Sequence, residues 1–356
     1  MPRFTPWVLG VASITVCAVI WTAASVVKKR IFNDLSFDQP FALSVVANAC
    51  YVVHFLSWGV RSAVASRRAG RRRRADNRVE LLETPLPPEL AAPDRTWRAE
   101  AWAALLIMPV FFAGQWSYGV GLAMTSVTSS TVICTTSSVT TFLGSRYFLS
   151  EPSSAKKWLG VLLCIAGAVL LLQGDRAPSG PAPSWVGDLI CWLSALFYSA
   201  YVLLVRALVR DPLQFFSFLG AYVLLLGGPA VALLLHFSPA YAGPFWASFS
   251  PEVLWLLLLT GLLDNALSQF FWAQGVLLTS PTVATAGLGL TIPLSVASDL
   301  LLGHSVGPWQ YAASAVVGVG FLLVNLGHHA AKEEPADDNA APLSETRQEA
   351  AGGGRQ

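Results

Sequence analysis

The sequence predicts an all-α polytopic membrane protein: ten transmembrane helices arranged as two inverted five-helix repeats. Three observations carry this. The composition is 54% apolar and 12% charged, with a mean hydropathy of +0.54, outside the range of soluble globular chains. Ten apolar runs approach or exceed the roughly 20 residues that cross a bilayer core as a helix. One phrase is also written twice, each copy between two of those runs: Gly121-Leu-Ala-Met-Thr125-Ser126-Val-Thr128 returns as Gly275-Val-Leu-Leu-Thr279-Ser280-Pro-Thr282. A spanning segment must satisfy its own backbone groups, which leaves helices or closed barrels, and runs this long select helices.

Residues 1–60 supply segments 1 (6–27) and 2 (40–60). Segment 1 is read as retained, not as a cleaved signal, because Trp21 sits where a cleavage region is small and polar. Residues 61–98 carry ten arginines, including Arg71 to Arg74, and then turn acidic and proline-rich through Glu80, Glu83, Pro85, Pro87 and Pro88. This composition predicts a disordered cytosolic loop. No aromatic residues interleave the arginine run, so anionic lipid headgroups and topology account for it and no nucleic-acid partner is expected. Residues 99–174 hold segments 3 (101–123), 4 (128–149) and 5 (157–173); residues 175–329 hold segments 6 (187–206), 7 (213–236), 8 (251–274), 9 (281–302) and 10 (309–328). The tail, 330–356, runs from Lys332-Glu-Glu-Pro to Gly352-Gly-Gly and reads as disordered.

With both termini in the cytosol, 19 of the 23 lysines and arginines fall on the cytosolic side, as the positive-inside rule requires. The exceptions are Lys28, Lys29, Arg30 and Arg176. The first three read either as a snorkelling belt or as an entry site for an anionic solute. Trp158, Gly167, Leu171 and Leu172 recur in segment 10 as Trp309, Gly318, Leu322 and Leu323. Five segments per repeat is an odd number, so the second repeat enters from the opposite face. Such an arrangement places a substrate site at the midplane interface.

Polar side chains inside lipid carry the functional signal, because burying them is costly. Asp264-Asn265 lies mid-way along segment 8 with Gln269 beyond it, and Asp264 is the foremost candidate for binding or coupling. Gln115, Trp116 and Tyr118, Asn48, Tyr198 and Tyr201, and Lys28 complete the candidate substrate set. Thr125, Ser126, Thr279 and Ser280 are helix-start residues: a hydroxyl ahead of Pro281 favours helix initiation, and two helix N-termini offer partial positive charge to an anionic group. Small residues including Gly144, Gly160, Gly167, Gly318 and Gly320 mark close helix packing, with a homodimer face as one reading. Pro109, Pro229 and Pro293 lie inside segments and free backbone carbonyls there. All five cysteines fall inside segments without a C-x-x-C pair, and no metal motif occurs, so neither a cofactor nor a metal is expected. Gly303-His304-Ser305-Val306-Gly307 matches a hydrolase nucleophile pattern but lies in a helix–helix loop and lacks the strand-to-helix turn that chemistry needs. No enzyme is expected.

Several stretches together invite a family. Gly187-Asp188-Leu189, Ser194-Ala195-Leu196-Phe197-Tyr198-Ser199-Ala200-Tyr201, Lys157-Trp-Leu-Gly160-Val161-Leu162-Leu163 and Leu290-Thr291-Ile292-Pro293-Leu294-Ser295 resemble the drug/metabolite transporter superfamily of EamA-like proteins. Phe37-Asp-Gln39-Pro40-Phe41 and Leu267-Ser268-Gln269-Phe270-Phe271-Trp272 are similar to the solute carrier 35 family, subfamily F, on the branch of its member 5 and of fungal vacuolar-membrane relatives. The resemblance implies a carrier of a small organic solute working by alternating access, in an endomembrane such as the vacuole, lysosome or Golgi in preference to the plasma membrane. Gln39 stands where those relatives usually carry lysine and Gln269 where they carry an acidic residue, with Asp264 five positions earlier. A membrane scaffold or receptor that keeps the transporter fold is the alternative function.

Overall fold

The computed structural model describes residues 4–29, 40–76, 96–125, 133–174, 184–237, 246, 249–301 and 306–333. These residues are helical, with no strand among them. Helix α1 is Phe4–Lys29, and α2 (Pro40–Ala49) passes through a 3₁₀ turn (Cys50–Val52) into α3 (Val53–Asp76). Then follow α4 (Thr96–Met124), α5 (Ser137–Phe148), α6 (Ala155–Gly174) and α7 (Trp185–Leu208). Helix α8 (Pro212–Tyr222) continues through a π segment (Val223–Gly227) into α9 (Gly228–Phe237), and α10 (Pro251–Thr260) through another (Gly261–Leu267) into α11 (Ser268–Leu278). The chain closes with α12 (Pro281–Gly287), a 3₁₀ turn (Leu288–Leu290), α13 (Thr291–Leu301) and α14 (Pro308–Glu333).

Seven helices among the described residues are long and apolar enough to cross a membrane: Pro6–Ala24, Trp97–Tyr118, Trp185–Leu208, Pro212–Phe237, Pro251–Leu278, Pro281–Leu301 and Pro308–His328. The chain is an integral multi-pass membrane protein. The other three sequence segments differ for local reasons. Segment 2 is broken by the 3₁₀ turn, and its helix runs on through the arginines to Asp76, past the expected loop boundary at residue 61. Segment 4 is described only from residue 133, and segment 5 is helical as Ala155–Gly174. The remainder of the basic loop (77–95) and the tail from residue 334 lie outside the described residues.

Two prolines explain two departures from regular helix. Proline blocks the hydrogen bond to the carbonyl four residues earlier. For Pro229 that residue is Leu225, inside the π segment; for Pro293 it is Gly289, inside the 3₁₀ turn. Pro109 sits within an unbroken α4.

Small residues set the packing. Helices α6 and α14 lie against each other along their length, as do α4 and α7, and α1 and α11. A Cβ on Gly160 would stand 2.6 Å from the Gly320 carbonyl oxygen, and one on Gly167 would stand 3.0 Å from that of Ala313. Partners fall in number along α14 as they rise along α6, so the two helices run antiparallel. Gly160, Gly167 and Gly320 are therefore used within the chain, while a Cβ on Gly318 would meet open space.

The helix ends sort into two groups. Trp7 stacks on His328, Glu100 accepts from the backbone N–H of Arg210 and Asp211, Arg61 pairs with Asp211, and Arg206 donates to the Leu277 carbonyl. These contacts gather the start of α1, α4 and α8 with the end of α7, α11 and α14 at one end of the bundle, called here the basic end. At the opposite end a Cβ on Gly187 would stand 2.8 Å from the Met124 carbonyl carbon, which places the end of α4 on the start of α7.

Candidate functional site

A cavity of about 800 Å³ lies between α1, α4, α5, α7, the π segment before α11, and α13. Its walls include Trp21, Gln115, Tyr118, Tyr198, Tyr201, Asp264, Asn265, Gln269, Thr291, Ser295 and Asp299. These come from the second half of α1 and α4, the middle of α7 and the length of α13, so the cavity reaches from mid-bundle toward the end opposite the basic end.

The π segment builds the polar side of the cavity. An i→i+5 ladder leaves backbone carbonyls without their usual partner, and such bulges recur at functional sites. Here side chains meet them: the His54 Nε2 lies 3.0 Å from the Ala266 carbonyl oxygen and donates to it, and Ser268 Oγ donates to that of Asp264. Trp21 Nε1 in turn donates to Ser268 Oγ at 2.8 Å. The backbone under Asp264 is thereby tied to α1 and α3, and its carboxylate, 6% exposed, is aimed from a fixed point.

The floor is aromatic. Tyr201 stacks on Trp272 with ring centroids 5.4 Å apart, and Phe111 and Tyr198 pack on Tyr201 at 5.1 and 6.1 Å. The buried Tyr201 hydroxyl has no hydrogen-bond partner among the described residues, which leaves a donor and acceptor at the cavity base. Ser194 and Ser137 complete the wall. Ser194 Oγ donates to the Gly114 carbonyl and Ser199 Oγ to that of Ser137, holding α7 against α4 and α5.

Seven of the candidates from sequence thus meet on one cavity: Asp264, Asn265, Gln269, Gln115, Tyr118, Tyr198 and Tyr201. Trp116 does not; it is 63% exposed on the outer face of α4. Asn48 is buried beside the 3₁₀ turn, away from the cavity wall. The side chain of Lys28 and all of Ser126 lie outside the described residues. Ser280 is the N-cap of α12, its hydroxyl accepting from the Val283 N–H at 3.3 Å with Pro281 following. Thr279 donates to the Gly275 carbonyl at 2.6 Å. The Thr125 hydroxyl donates to Asp188 at 2.6 Å and ties α4 to α7; the helix start expected after it lies outside the described residues. Asp299, near the end of α13, also lines the cavity.

Sequence reasoning missed a second polar cluster, at the basic end. Glu151, in the loop between α5 and α6, is buried. Its Oε1 accepts from Lys157 Nζ at 2.7 Å with His328 Nδ1 at 3.5 Å; its Oε2 accepts from Thr282 Oγ1 at 2.9 Å and from Ser145 Oγ. Burial pushes the carboxyl upward, but His328, the Lys157 ammonium and the Ser145 hydroxyl outweigh it and hold it well below the usual carboxylate range. Phe142, Lys157, Val161, Val205, Val276, Val283 and Ala284 on the surrounding helices are fully buried, and a smaller cavity of about 400 Å³ lies at this end between Leu149, Arg206, Val209, Arg210 and Leu277.

Residues 83–173 match the EamA-like transporter family. The chain is 25% identical to an uncharacterized vacuolar membrane protein of Saccharomyces cerevisiae over 90% of each chain. It is 32% identical to solute carrier family 35 member F5 of Mus musculus, over 62% of this chain and 43% of that one. A solved crystal structure with 16% sequence identity shares the fold at a TM-score of 0.64, covering 93% of this chain and 100% of that chain.

Proposed function

We propose that this protein is a carrier that moves a small organic solute across an endomembrane by alternating access, with the cavity around Asp264 as its solute site. The observation that carries this is the asymmetry of the bundle: a cavity of about 800 Å³ with polar and aromatic walls reaches from mid-bundle toward one end, and at the other the buried, hydrogen-bonded Glu151 cluster leaves only a smaller cavity of about 400 Å³ beside Arg206 and Arg210. A cavity of this size suits a solute of drug-like dimensions. The EamA-like match and the solute carrier relative support transport; the name of the vacuolar relative supports an endomembrane.

The ten-helix, inverted-repeat architecture is part of the proposal. Helices α6 and α14 carry the repeated Trp158/Trp309 and Gly167/Gly318 pattern and run antiparallel, as equivalent helices of inverted repeats must. The twin phrases behave alike: Thr125 lies at the cavity end, whereas Thr279 ends α11 beside Gly10 of α1 at the basic end. Arg61, Arg98, Arg206 and Arg210 share that basic end, which is read as cytosolic. The described cavity wall bears two carboxylates, Asp264 and Asp299, and no lysine or arginine. An anionic solute would therefore draw its counter-charge from the Lys28-Lys29-Arg30 cluster. A homodimer would use surfaces other than the α6–α14 glycine contact.

Purified protein screened by thermal unfolding against nucleotide sugars, nucleotides, vitamins and amino acids tests the site directly. A ligand at 100 times its Kd adds about 2.7 kcal/mol of stability. Stabilisation by one class that is lost in Asp264→Asn is the expected result. A scaffold that keeps only the transporter fold gives no stabilisation and no flux with any class.

A further inference from the structure

We infer that Glu151 is the latch that keeps the basic end closed while the cavity is open to the other end, with Thr282 as its releasable partner. This rests on the alternating-access reading. The carboxylate has two differently placed oxygens. Oε1 faces Lys157 at the start of α6 and His328 near the end of α14, two helices already joined by glycine contacts at Gly160, Gly320 and Gly327. Close backbone packing of this kind has no slack, so α6 and α14 form a fixed post. Oε2 faces outward from that post and holds the end of α5 through Ser145 and the start of α12 through Thr282.

Both held helices lead into the cavity: Ser137 at the start of α5 and Cys134 just before it are in its wall, and so are Leu288 and Thr291 just beyond α12. Below the latch the same two helices touch again, where Ser138 Oγ donates to the Thr285 carbonyl at 3.4 Å. Opening the basic end requires α5 and α12 to part. Parting them breaks the Thr282 hydroxyl–carboxylate bond and leaves the Lys157 and His328 contacts on the post, while Ser145, whose carbonyl also accepts from the Glu151 backbone N–H at 3.2 Å, stays with Glu151. A hydroxyl such as that of Thr282 suits this purpose, because it finds another partner or water when released, whereas separating Glu151 from Lys157 would remove the counter-charge of a buried ammonium. Glu151 is thus a positioning residue that biases two conformations without touching solute, in the sense that only contacts differing between two states shift their balance.

The test reads accessibility without solute, so it stands apart from whether any flux is found. In full-length protein in oriented vesicles, with Cys17, Cys50, Cys164 and Cys191 replaced by alanine, Cys134 reports on the cavity. Ser138→Cys, combined with Cys134→Ala, reports on the space behind the latch. Thr282→Val, alone and with Ser145→Ala, is expected to raise impermeant maleimide labelling of Ser138→Cys from the basic end at least tenfold and to slow labelling of Cys134 from the other end. Thr282→Ser should restore both rates. Unchanged rates in Thr282→Val, with or without a lower melting temperature, overturn the latch and leave a static tie. Should the double variant not insert, the single Thr282→Val and Thr282→Ser pair decides alone.

Discussion

Asp264 occupies a place where the helix has exchanged its regular ladder for a π segment, and the exchange is held from outside by His54, Ser268 and Trp21. The Trp21 indole N–H is therefore a positioning group. Replacing it with phenylalanine keeps the ring and removes one hydrogen bond worth about 0.5–1.5 kcal/mol, so Trp21→Phe is expected to weaken solute affinity by roughly 2- to 12-fold, read as KM for uptake with expression unchanged. Glu151 behaves differently because its role is electrostatic. Glu151→Gln strands the buried Lys157 ammonium and is expected to cost on the order of 3–5 kcal/mol at pH 7. The sign with pH follows from the lowered carboxyl: its contribution is complete above the ordinary value of 4.5 and fades as the pH falls below that toward its folded-state value. As far as this carboxyl sets it, the gap in melting temperature between wild type and Glu151→Gln should therefore narrow as the pH falls below 4.5.

The elements owe their arrangement to small residues at backbone contacts. Gly320→Val would drive a side chain onto the Gly160 carbonyl, 2.8 Å from where its Cβ must sit. A loss of about 1–3 kcal/mol is expected, measured as a lower unfolding temperature in detergent. Gly318→Ala, facing open space two residues away, should be neutral or slightly stabilising, since alanine outranks glycine in helices by about 1 kcal/mol. A matching result for both variants would contradict the α6–α14 packing. At this scale the sequence was readable where lipid made residues costly. Asp264, Gln115, Tyr118, Tyr198 and Tyr201 stood out because nothing apolar explained them, and they converge on the cavity. Trp116 adjoins Gln115 in sequence but lies about 100° around the helix, and an apolar background leaves no moment to reveal which neighbour faces inward. The Glu151 cluster was hidden for the opposite reason: a carboxylate in a loop, a lysine counted only for topology and a histidine at a segment end carry no signal until the fold brings them together.

At the scale of the whole molecule, the 800 Å³ cavity reaches away from the basic end, where a smaller cavity lies beside Arg206 and Arg210. The chain direction alternates so that Arg61, Arg98, Arg206 and Arg210 share the basic end, in the charge distribution expected of a cytosolic face. The proposed alternating-access carrier would bind its cargo at the level where its two repeats meet, and Asp264, on the cavity wall, is the residue proposed to hold it. The most direct test is counterflow in proteoliposomes with the solute class that stabilises the purified protein. Saturable exchange is predicted for the wild type, with at least a tenfold loss in Asp264→Asn while insertion and folding are retained. Exchange in Asp264→Asn equal to wild type, or passage that does not saturate, would contradict a carrier whose solute site is built on Asp264.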